Sequence, residues 1–261
     1  MTGDVVRSQA AGHQRRITIC RPERRNALNR DVATGLIDAI RAAEADPDCR
    51  VVVLTGEGDR AFCAGGDIKA GPEGGPFVQD PAEPDHFAAR LFETIHACRK
   101  PTIARVNGVA MGAGAGIVCA CDLAVMADHA RIGTPEVMIG LFPLTIVPPM
   151  MRVLPRRRLM EMFITGEPLT AEEALRYDLV NYVTPADGLD AKVEDLVARI
   201  AAQSPTAIRL GKYACHAMED MTYSQQMRLA ETLLPRVAQT QDAIEGFAAF
   251  IAKRPPEWTG R

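Results

Sequence analysis

Short apolar runs alternate with helix-length amphipathic segments through the first half of the chain, and this alternation constrains the fold more than any other feature. The apolar runs predict strands at residues 16–20, 51–55, 102–106 and 123–127. Helical patterns lie between them at residues 30–45, 84–98 and 112–120. Because strands separated by crossover helices pair in parallel, we predict an α/β fold whose functional loops gather where the strands end.

The pattern becomes helical after Pro155. Helices are predicted at residues 156–164, 170–177, 189–203, 205–218, 223–239 and 241–253, with one brief strand at 180–183. Thr170 and Glu173 have the spacing of a capping box, which satisfies free backbone donors at a helix start. The last three helices carry more Ala, Leu, Met and Ile than one buried stripe needs. We therefore predict a mixed α/β core at residues 1–200 and a helical oligomerisation region at 201–261.

The charge balance gives no sign of a polyanionic macromolecular partner. The 261 residues include 30 Lys and Arg against 33 Asp and Glu, with no polybasic block, so we expect neither nucleic acid nor an anionic membrane as a partner. The first residues lack the apolar run of a signal peptide, and no apolar stretch is as long as a membrane span. Seven cysteines at irregular spacing argue against a disulfide framework. These features predict a cytoplasmic protein.

Several catalytic classes are excluded by motifs that the sequence lacks. Its five histidines show neither H-x3-H nor H-E-x-x-H spacing, so no metal site is predicted. The three serines, Ser8, Ser204 and Ser224, lie outside any G-x-S-x-G motif, which excludes the nucleophile elbow of an α/β-hydrolase. No P-loop motif occurs either. Backbone donors and carboxylates remain as the groups that could carry chemistry.

Two glycine-rich turns, residues 61–69 and 106–116, each lie downstream of a predicted strand. Main-chain N–H groups at such turns could converge on one carbonyl oxygen and form an oxyanion hole. Two other interpretations of residues 112–116 stay open. The string G-A-G-A-G could belong to a dinucleotide-binding loop, although Ile117 stands where its last glycine is required, or it could serve only tight helix–strand packing.

Glu136 is the only acidic residue between Asp128 and Glu161, and its neighbours are apolar. Burial there would raise its pKa by desolvation, which is the condition that a general acid or base needs near neutral pH. The alternative is a structural carboxylate that caps free N–H groups at a helix start after Pro135.

Six motifs in a fixed order give the chain a family resemblance. They are R-P-x-x-x-N-A-L at 21–28, F-C-A-G-G-D-I-K at 62–69, N-G-x-A-x-G-x-G at 107–114, P-E-x-x-x-G at 135–140, T-G-x-x-x-x-A-x-E-A at 165–174 and E-G…F…K-R at 245–254. Each motif is weak singly, but the ordered set is specific and covers nearly the whole chain. The set resembles the crotonase superfamily, the enoyl-CoA hydratases and isomerases.

The resemblance implies a fold, an assembly and a set of site residues. The fold is a spiral of β-β-α units with a helical C-terminal trimerisation region, assembled as a homotrimer or a dimer of trimers. The substrate is an unsaturated acyl-CoA thioester of fatty-acid or related metabolism, and no cofactor is needed because CoA is part of the substrate. The implied roles are acid/base for Glu136, oxyanion-hole amides for Gly66 and Ala113, and CoA contacts for Arg25, Ala27, Ala64, Gly65, Asp67, Ile68, Lys69, Phe250 and Lys253, the last two across a subunit boundary.

The sequence departs from the two-glutamate hydratases of this superfamily at Gly116, where those enzymes carry a second glutamate that holds and activates water. An apolar segment, residues 142–149, also replaces the glycine-rich turn that helps to position that water. Hydration needs an oriented water, whereas double-bond isomerisation moves one proton and needs one acid/base. We therefore predict isomerisation by Glu136 ahead of hydration, with a non-catalytic acyl-CoA-binding protein as the alternative.

Residues 70–85 are dense in Gly, Pro and acidic side chains, a composition that predicts a loop. The loop is either a surface connection or an active-site flap, because it follows directly on the first glycine-rich turn. Four of its acids could restore a second carboxylate to the site: Glu73, Asp80, Glu83 and Asp85.

Overall fold

The computed structural model describes residues 5–68 and 85–261. Its strands are β1 (Val6–Ala11), β2 (Gln14–Ile19), β3 (Val51–Gly56), β4 (Ala61–Cys63), β5 (Thr102–Val106), β6 (Val109–Met111), β7 (Leu123–Ala127), β8 (Arg131–Gly133), β9 (Leu169–Thr170) and β10 (Tyr182–Thr184). Its α-helices are α1 (Arg30–Ala45), α2 (Phe87–Ala97), α3 (Ala113–Ala120), α4 (Val147–Met151), α5 (Arg156–Thr165), α6 (Ala171–Arg176), α7 (Leu189–Ala201), α8 (Pro205–Met218), α9 (Tyr223–Ala238) and α10 (Gln241–Ala252). No helix in this described part of the chain is long and apolar enough to cross a membrane.

The strands form two sheets. The larger has the order β1-β2-β3-β5-β7-β10, and all its pairs are parallel except β1 with β2. The smaller has the order β4-β6-β8-β9, with only β8 and β9 antiparallel. All six residues of β3 are buried, as expected for a central parallel strand covered on both faces.

A repeat of two strands and a helix builds both sheets at once. β3 leads into β4 and α2, and β5 leads into β6 and α3. The first strand of each pair enters the larger sheet and the second enters the smaller one. The expected spiral of β-β-α units is confirmed, and it stacks the ends of β4 and β6 side by side, so the two glycine-rich turns meet.

The predicted long elements agree closely with the structure. Strands 102–106 and 123–127 and helices 30–45 and 205–218 have the predicted bounds. Thr170 and Glu173 form the predicted capping box. The strand expected at 180–183 runs instead from Tyr182 to Thr184, because its hydrogen-bonded partner is the later part of β7. The predicted loop at 70–85 lies outside the described residues, except for Asp85.

The three C-terminal helices, α8 to α10, leave a large apolar surface uncovered within one chain. Its exposed side chains include Leu234, Phe247, Phe250 and Ile251, which are 70%, 66%, 84% and 80% exposed. α8 is tied to the core by Lys212, whose Nζ lies 2.6 Å from the Asp122 carboxylate. The division at residue 200 stays a prediction.

Candidate active site

The segment before α1 is fixed by the buried side chain of Asn26. Its amide nitrogen donates to the carbonyl oxygens of Glu57 and Ala61, at 3.0 and 2.8 Å, and its oxygen accepts from the Arg21 amide at 3.0 Å. Arg25 and Asn26 both have positive φ, 50° and 56°. Because asparagine tolerates this left-handed conformation, the sharp turn places Arg25 and Ala27 beside the end of β4, where the Ala64 amide donates to the Arg25 carbonyl at 3.0 Å.

The amide of Gly66 is directed away from its neighbouring strand by a parallel bridge. Leu28 donates to the Gly65 carbonyl and accepts from the Asp67 amide, both at 2.8 Å. In a parallel ladder the residue between those two partners presents its own amide to the other side. No backbone or side-chain acceptor within the described residues takes the Gly66 amide. Arg21 clamps the turn by bonding the Asp67 carboxylate at 2.8 Å.

The second turn begins α3, and it packs directly on the first. Gly112 has φ of +52°, and a Cβ on Gly114 would lie 2.1 Å from the Cys63 carbonyl oxygen. Only glycine permits this approach, so the tight-packing interpretation of residues 112–116 describes the structure. The Ala113 amide stands at the N-terminus of α3, where helix N–H groups carry positive partial charge, and it has no acceptor among the residues described.

Glu136 lies in a 3-10 helix, Pro135–Ile139, that follows β8. A Cβ on Gly112 would be 2.7 Å from Glu136 Oε1, so the carboxylate packs against the turn that carries the Ala113 amide. Oε2 is buried and has no hydrogen-bond partner within the described chain. Burial raises the pKa of this carboxyl, and only its own backbone amide opposes the shift. The carboxyl thus bonds its own backbone amide at the start of this helix, while Oε2 is left without a partner in the described chain.

A groove of about 480 Å³ runs beside the first turn. Its walls are Glu23, Arg24, Arg25, Ala27, Ala64, Gly66, Asp67 and Ile68. The structure thus brings together Arg25, Ala27, Ala64, Gly66, Asp67 and Ile68 from the predicted set, and adds Glu23 and Arg24. Gly65 lies at the same turn, with φ of +104°. Lys69 lies outside the described residues.

Phe250 and Lys253 do not line this groove within one chain. Phe250 is on α10 and is 84% exposed, and Lys253 follows the same helix with φ of +53°. Both face away from the chain's own core, which is the placement that a contact across a subunit boundary requires.

The space beside Gly116 is occupied by an aromatic ring. A Cβ on Gly116 would meet Phe92 at 2.6 Å from Cζ and 2.9 Å from Cε1. The missing side chain therefore leaves no open space, because Phe92 of α2 fills it. The sequence offered no signal for this contact, since the helical pattern of α2 predicts only that Phe92 is buried.

A second polar cluster joins helix ends that the sequence does not connect. His96 and His216 stack with ring centroids 4.0 Å apart, and their nitrogens lie within 4.8 Å of a Glu219 oxygen. Arg152 already bonds the Glu219 carboxylate at 2.9 Å. Two nearly parallel rings direct their in-plane lone pairs side by side rather than toward one point, so this arrangement is a charge-paired cluster rather than a preformed chelate.

Comparisons with known proteins cover both the core and the C-terminal helices. A family model described as enoyl-CoA hydratase/isomerase matches residues 14–261. The (E)-benzylidenesuccinyl-CoA hydratase of Thauera aromatica is 32% identical over 98% of this chain and 99% of its own. The carnitinyl-CoA dehydratase of Salmonella arizonae is 34% identical over 94% of each chain. The crystal structure of human enoyl Coenzyme A hydratase domain-containing protein 3 matches with a TM-score of 0.91 and 30% identity, over 97% of this chain and 100% of its own.

These matches confirm the resemblance that the ordered motifs predicted, together with the crotonase fold. They extend over nearly the full length of each relative, so the likeness is not confined to one motif or one sheet. The chain is an enzyme that belongs to the enoyl-CoA hydratase/isomerase family.

Proposed function

We propose that the protein isomerises the double bond of an enoyl-CoA thioester through an enolate. The amides of Gly66 and Ala113 would donate to the thioester oxygen, and Glu136 would move the proton. Two preorganised main-chain donors in a water-poor site are worth about 3–4 kcal/mol each to a developing oxyanion. The observation that carries the proposal is the unpartnered, buried Oε2 of Glu136 beside the turn that ends at Ala113.

Each step of the reaction balances with one carboxylate. Glu136 as carboxylate takes a proton from C2 of a 3-enoyl-CoA, and the electron pair moves through C2 to the thioester oxygen. The resulting dienolate then takes the same proton at C4, which places the double bond between C2 and C3 and restores the carboxylate. A raised pKa makes the carboxylate a stronger base and its acid a ready donor near neutral pH.

The groove at the first turn would hold the CoA moiety. Arg24 and Arg25 are exposed in its wall and would contact its phosphates, while Ala27, Ala64, Gly65, Asp67 and Ile68 would contact the adenine and pantetheine. Lys69, Phe250 and Lys253 keep their proposed CoA contacts, the last two from a neighbouring subunit. The reaction would need no further cofactor, because CoA arrives with the substrate.

The test measures isomerisation of a 3-enoyl-CoA and hydration of crotonyl-CoA by the wild type and by Glu136→Gln. Isomerisation should fall by about a thousandfold in the variant, which retains the shape of the side chain but not its basicity. Glu172→Gln, at an exposed position of α6, is the matched control and should keep full activity. Equal isomerisation rates in all three proteins would overturn the proposal.

Hydration is the second candidate, because two relatives are named as a hydratase and a dehydratase. It requires an oriented water in addition to Glu136. A wild type that hydrates crotonyl-CoA faster than it isomerises a 3-enoyl-CoA would favour this candidate over isomerisation.

We also propose that α8 to α10 assemble the chain into a homotrimer or a dimer of trimers. The support is their exposed apolar surface, which includes a groove of about 520 Å³ between α8 and α9. Burying this surface would stabilise the assembly by about 25 cal/mol for each Å² of apolar area removed from water.

A further inference from the structure

We infer that Phe92 is a specificity-determining residue, whose ring keeps water away from C3 of the conjugated 2-enoyl-CoA product, so that isomerisation is not followed by hydration. This inference rests on the proposed function and deepens it. The ring occupies the position that any side chain at residue 116 would take.

The contact between α2 and α3 is close. The three nearest atoms to a Cβ on Gly116 are Cζ, Cε1 and Cε2 of Phe92, at 2.6, 2.9 and 3.2 Å. Real side chains do not approach within 3.0 Å, so residue 116 and the ring compete for one space. Phe92 is only 5% exposed, and its helix is anchored by the fully buried Leu91 and Ile95. The ring is therefore held in place rather than free to move aside.

This space lies one helical turn from the proposed oxyanion donor. The Gly116 amide bonds to the Gly112 carbonyl at 3.1 Å, so Gly116 lies one helical turn from Gly112. Gly112 in turn packs against Glu136 Oε1 and precedes the Ala113 amide. Phe92 thus reaches the turn of α3 that immediately follows the proposed oxyanion donor.

An aromatic ring at this position has a direct chemical consequence. A bound water needs two to four polar partners. The edge of a phenyl ring offers none, and glycine has no side chain that could offer one. Without a held water, nothing adds to C3 of the 2-enoyl-CoA, and the reaction ends at isomerisation. Gly116 and Phe92 then act as a pair, since the glycine makes room for the ring and the ring excludes water.

The experiment measures the ratio of 3-hydroxyacyl-CoA to 2-enoyl-CoA formed from one 3-enoyl-CoA substrate. Phe92→Ala and the double variant Gly116→Glu/Phe92→Ala open the space, and the double variant adds a carboxylate. We expect the ratio to rise by about tenfold in the double variant, whose carboxylate can hold a water, and to stay near the wild-type value in Phe92→Ala, whose opened space is apolar. Gly116→Glu alone should lower the thermal midpoint, because the ring blocks the new side chain.

Controls separate specificity from stability. Leu91→Ala removes a neighbouring buried side chain of α2 that does not meet residue 116, and should leave the ratio unchanged. The ratio compares two products of the same folded molecules, so it does not depend on how much protein folds. Phe92→Leu retains most of the apolar volume, so the double variant Gly116→Glu/Phe92→Leu covers the case in which the alanine variants do not fold, and it should raise the ratio by about threefold.

Two results would overturn the inference: a ratio that stays at the wild-type value in every Phe92 variant, or a Gly116→Glu protein with an unchanged thermal midpoint. The wild-type assay tests the proposed isomerase function independently. A wild type that only hydrates would contradict that function, whereas a fixed ratio in an active isomerase would contradict the role of Phe92 alone.

Discussion

Glu136, the proposed acid/base, carries a cost in stability. Its Oε2 is buried without a partner in the described chain, and desolvation raises its pKa. A carboxyl whose pKa is higher in the folded than in the unfolded chain makes the folded state less stable as its ionised form accumulates. The free energy of unfolding should therefore fall as pH rises from about 4.5 through the folded-state pKa.

Glu136→Gln should remove this part of the pH dependence, because the amide does not titrate. We expect the variant to gain stability relative to the wild type between pH 4.5 and pH 8. Urea unfolding of both proteins across this range measures the difference, and Glu172→Gln should follow the wild-type curve. Parallel curves for Glu136→Gln and the wild type would show that burial leaves this carboxyl unperturbed.

At the residue scale, the sequence indicates candidate site residues that belong to family motifs. It gives no signal for a residue whose proposed role depends on a contact in the folded chain. Glu136 and Gly66 could be identified because family motifs surround them. Phe92 could not, because its importance comes from an approach to Gly116, which is distant in sequence and on another helix. The helical periodicity of α2 predicts the burial of Phe92 but not the atom that its ring meets.

At the scale of elements, length decided what could be predicted. α1 and β5 were predicted with their observed bounds because each is long enough to display a period or an unbroken apolar run. β4, β6 and β8 have three residues each, too few to show alternation, so the smaller sheet was not predicted. β1 was missed for another reason: five of its six residues are exposed, and it lacks an apolar pattern.

The C-terminal segment is held by one buried carboxylate at the start of α10. Asp242 accepts hydrogen bonds from the Ser204 hydroxyl and from the amides of Thr206, Thr259 and Gly260, at 2.8, 3.3, 2.8 and 2.9 Å. Burial alone would raise the pKa of Asp242, but these donors outweigh it and hold the pKa well below its usual range. The chain end is thereby fixed against the start of α8.

Asp242→Asn should destabilise the protein by about 2–3 kcal/mol, because an amide cannot accept all of these bonds and buried donors lose their partner. The ionised Asp242 stabilises the wild type, and this stabilisation is lost as pH falls below about 4, toward the depressed folded-state pKa. Asp242→Asn should lack this pH-dependent loss. Denaturant unfolding at pH 7 and pH 3, with hydrogen exchange at Thr259 and Gly260, measures both effects.

The control is Asp195→Asn, which alters a surface ion pair with Lys192 and should leave stability nearly unchanged, because solvent screens exposed pairs. An Asp242→Asn protein with wild-type stability and protected Thr259 and Gly260 amides would contradict the anchoring role of Asp242.

At the scale of the whole molecule, the proposed site and the proposed assembly would meet at α10. The proposed CoA groove lies at the first glycine-rich turn, whereas Phe250 and Lys253 lie on the exposed side of the C-terminal helices. The net charge of −3 means that no general attraction draws a polyanionic CoA ester to the surface. A few local cations must hold it, and Lys253 can be one of them only if a second subunit brings it to the groove.

Leu234→Asp places a charge in the exposed apolar surface of α9, far in sequence from the groove, and should convert the proposed trimer into monomers. Light scattering would then give 28.3 kDa instead of three times that mass. Because each site would lose the Phe250 and Lys253 of its neighbour, KM for the CoA ester should rise by about tenfold or more. The control is Leu175→Asp, at an exposed position of α6, which should change neither the mass nor KM. A monomeric wild type would contradict the proposed assembly. A monomeric variant with unchanged KM would contradict the contribution of a second subunit to CoA binding and place the CoA contacts within one chain.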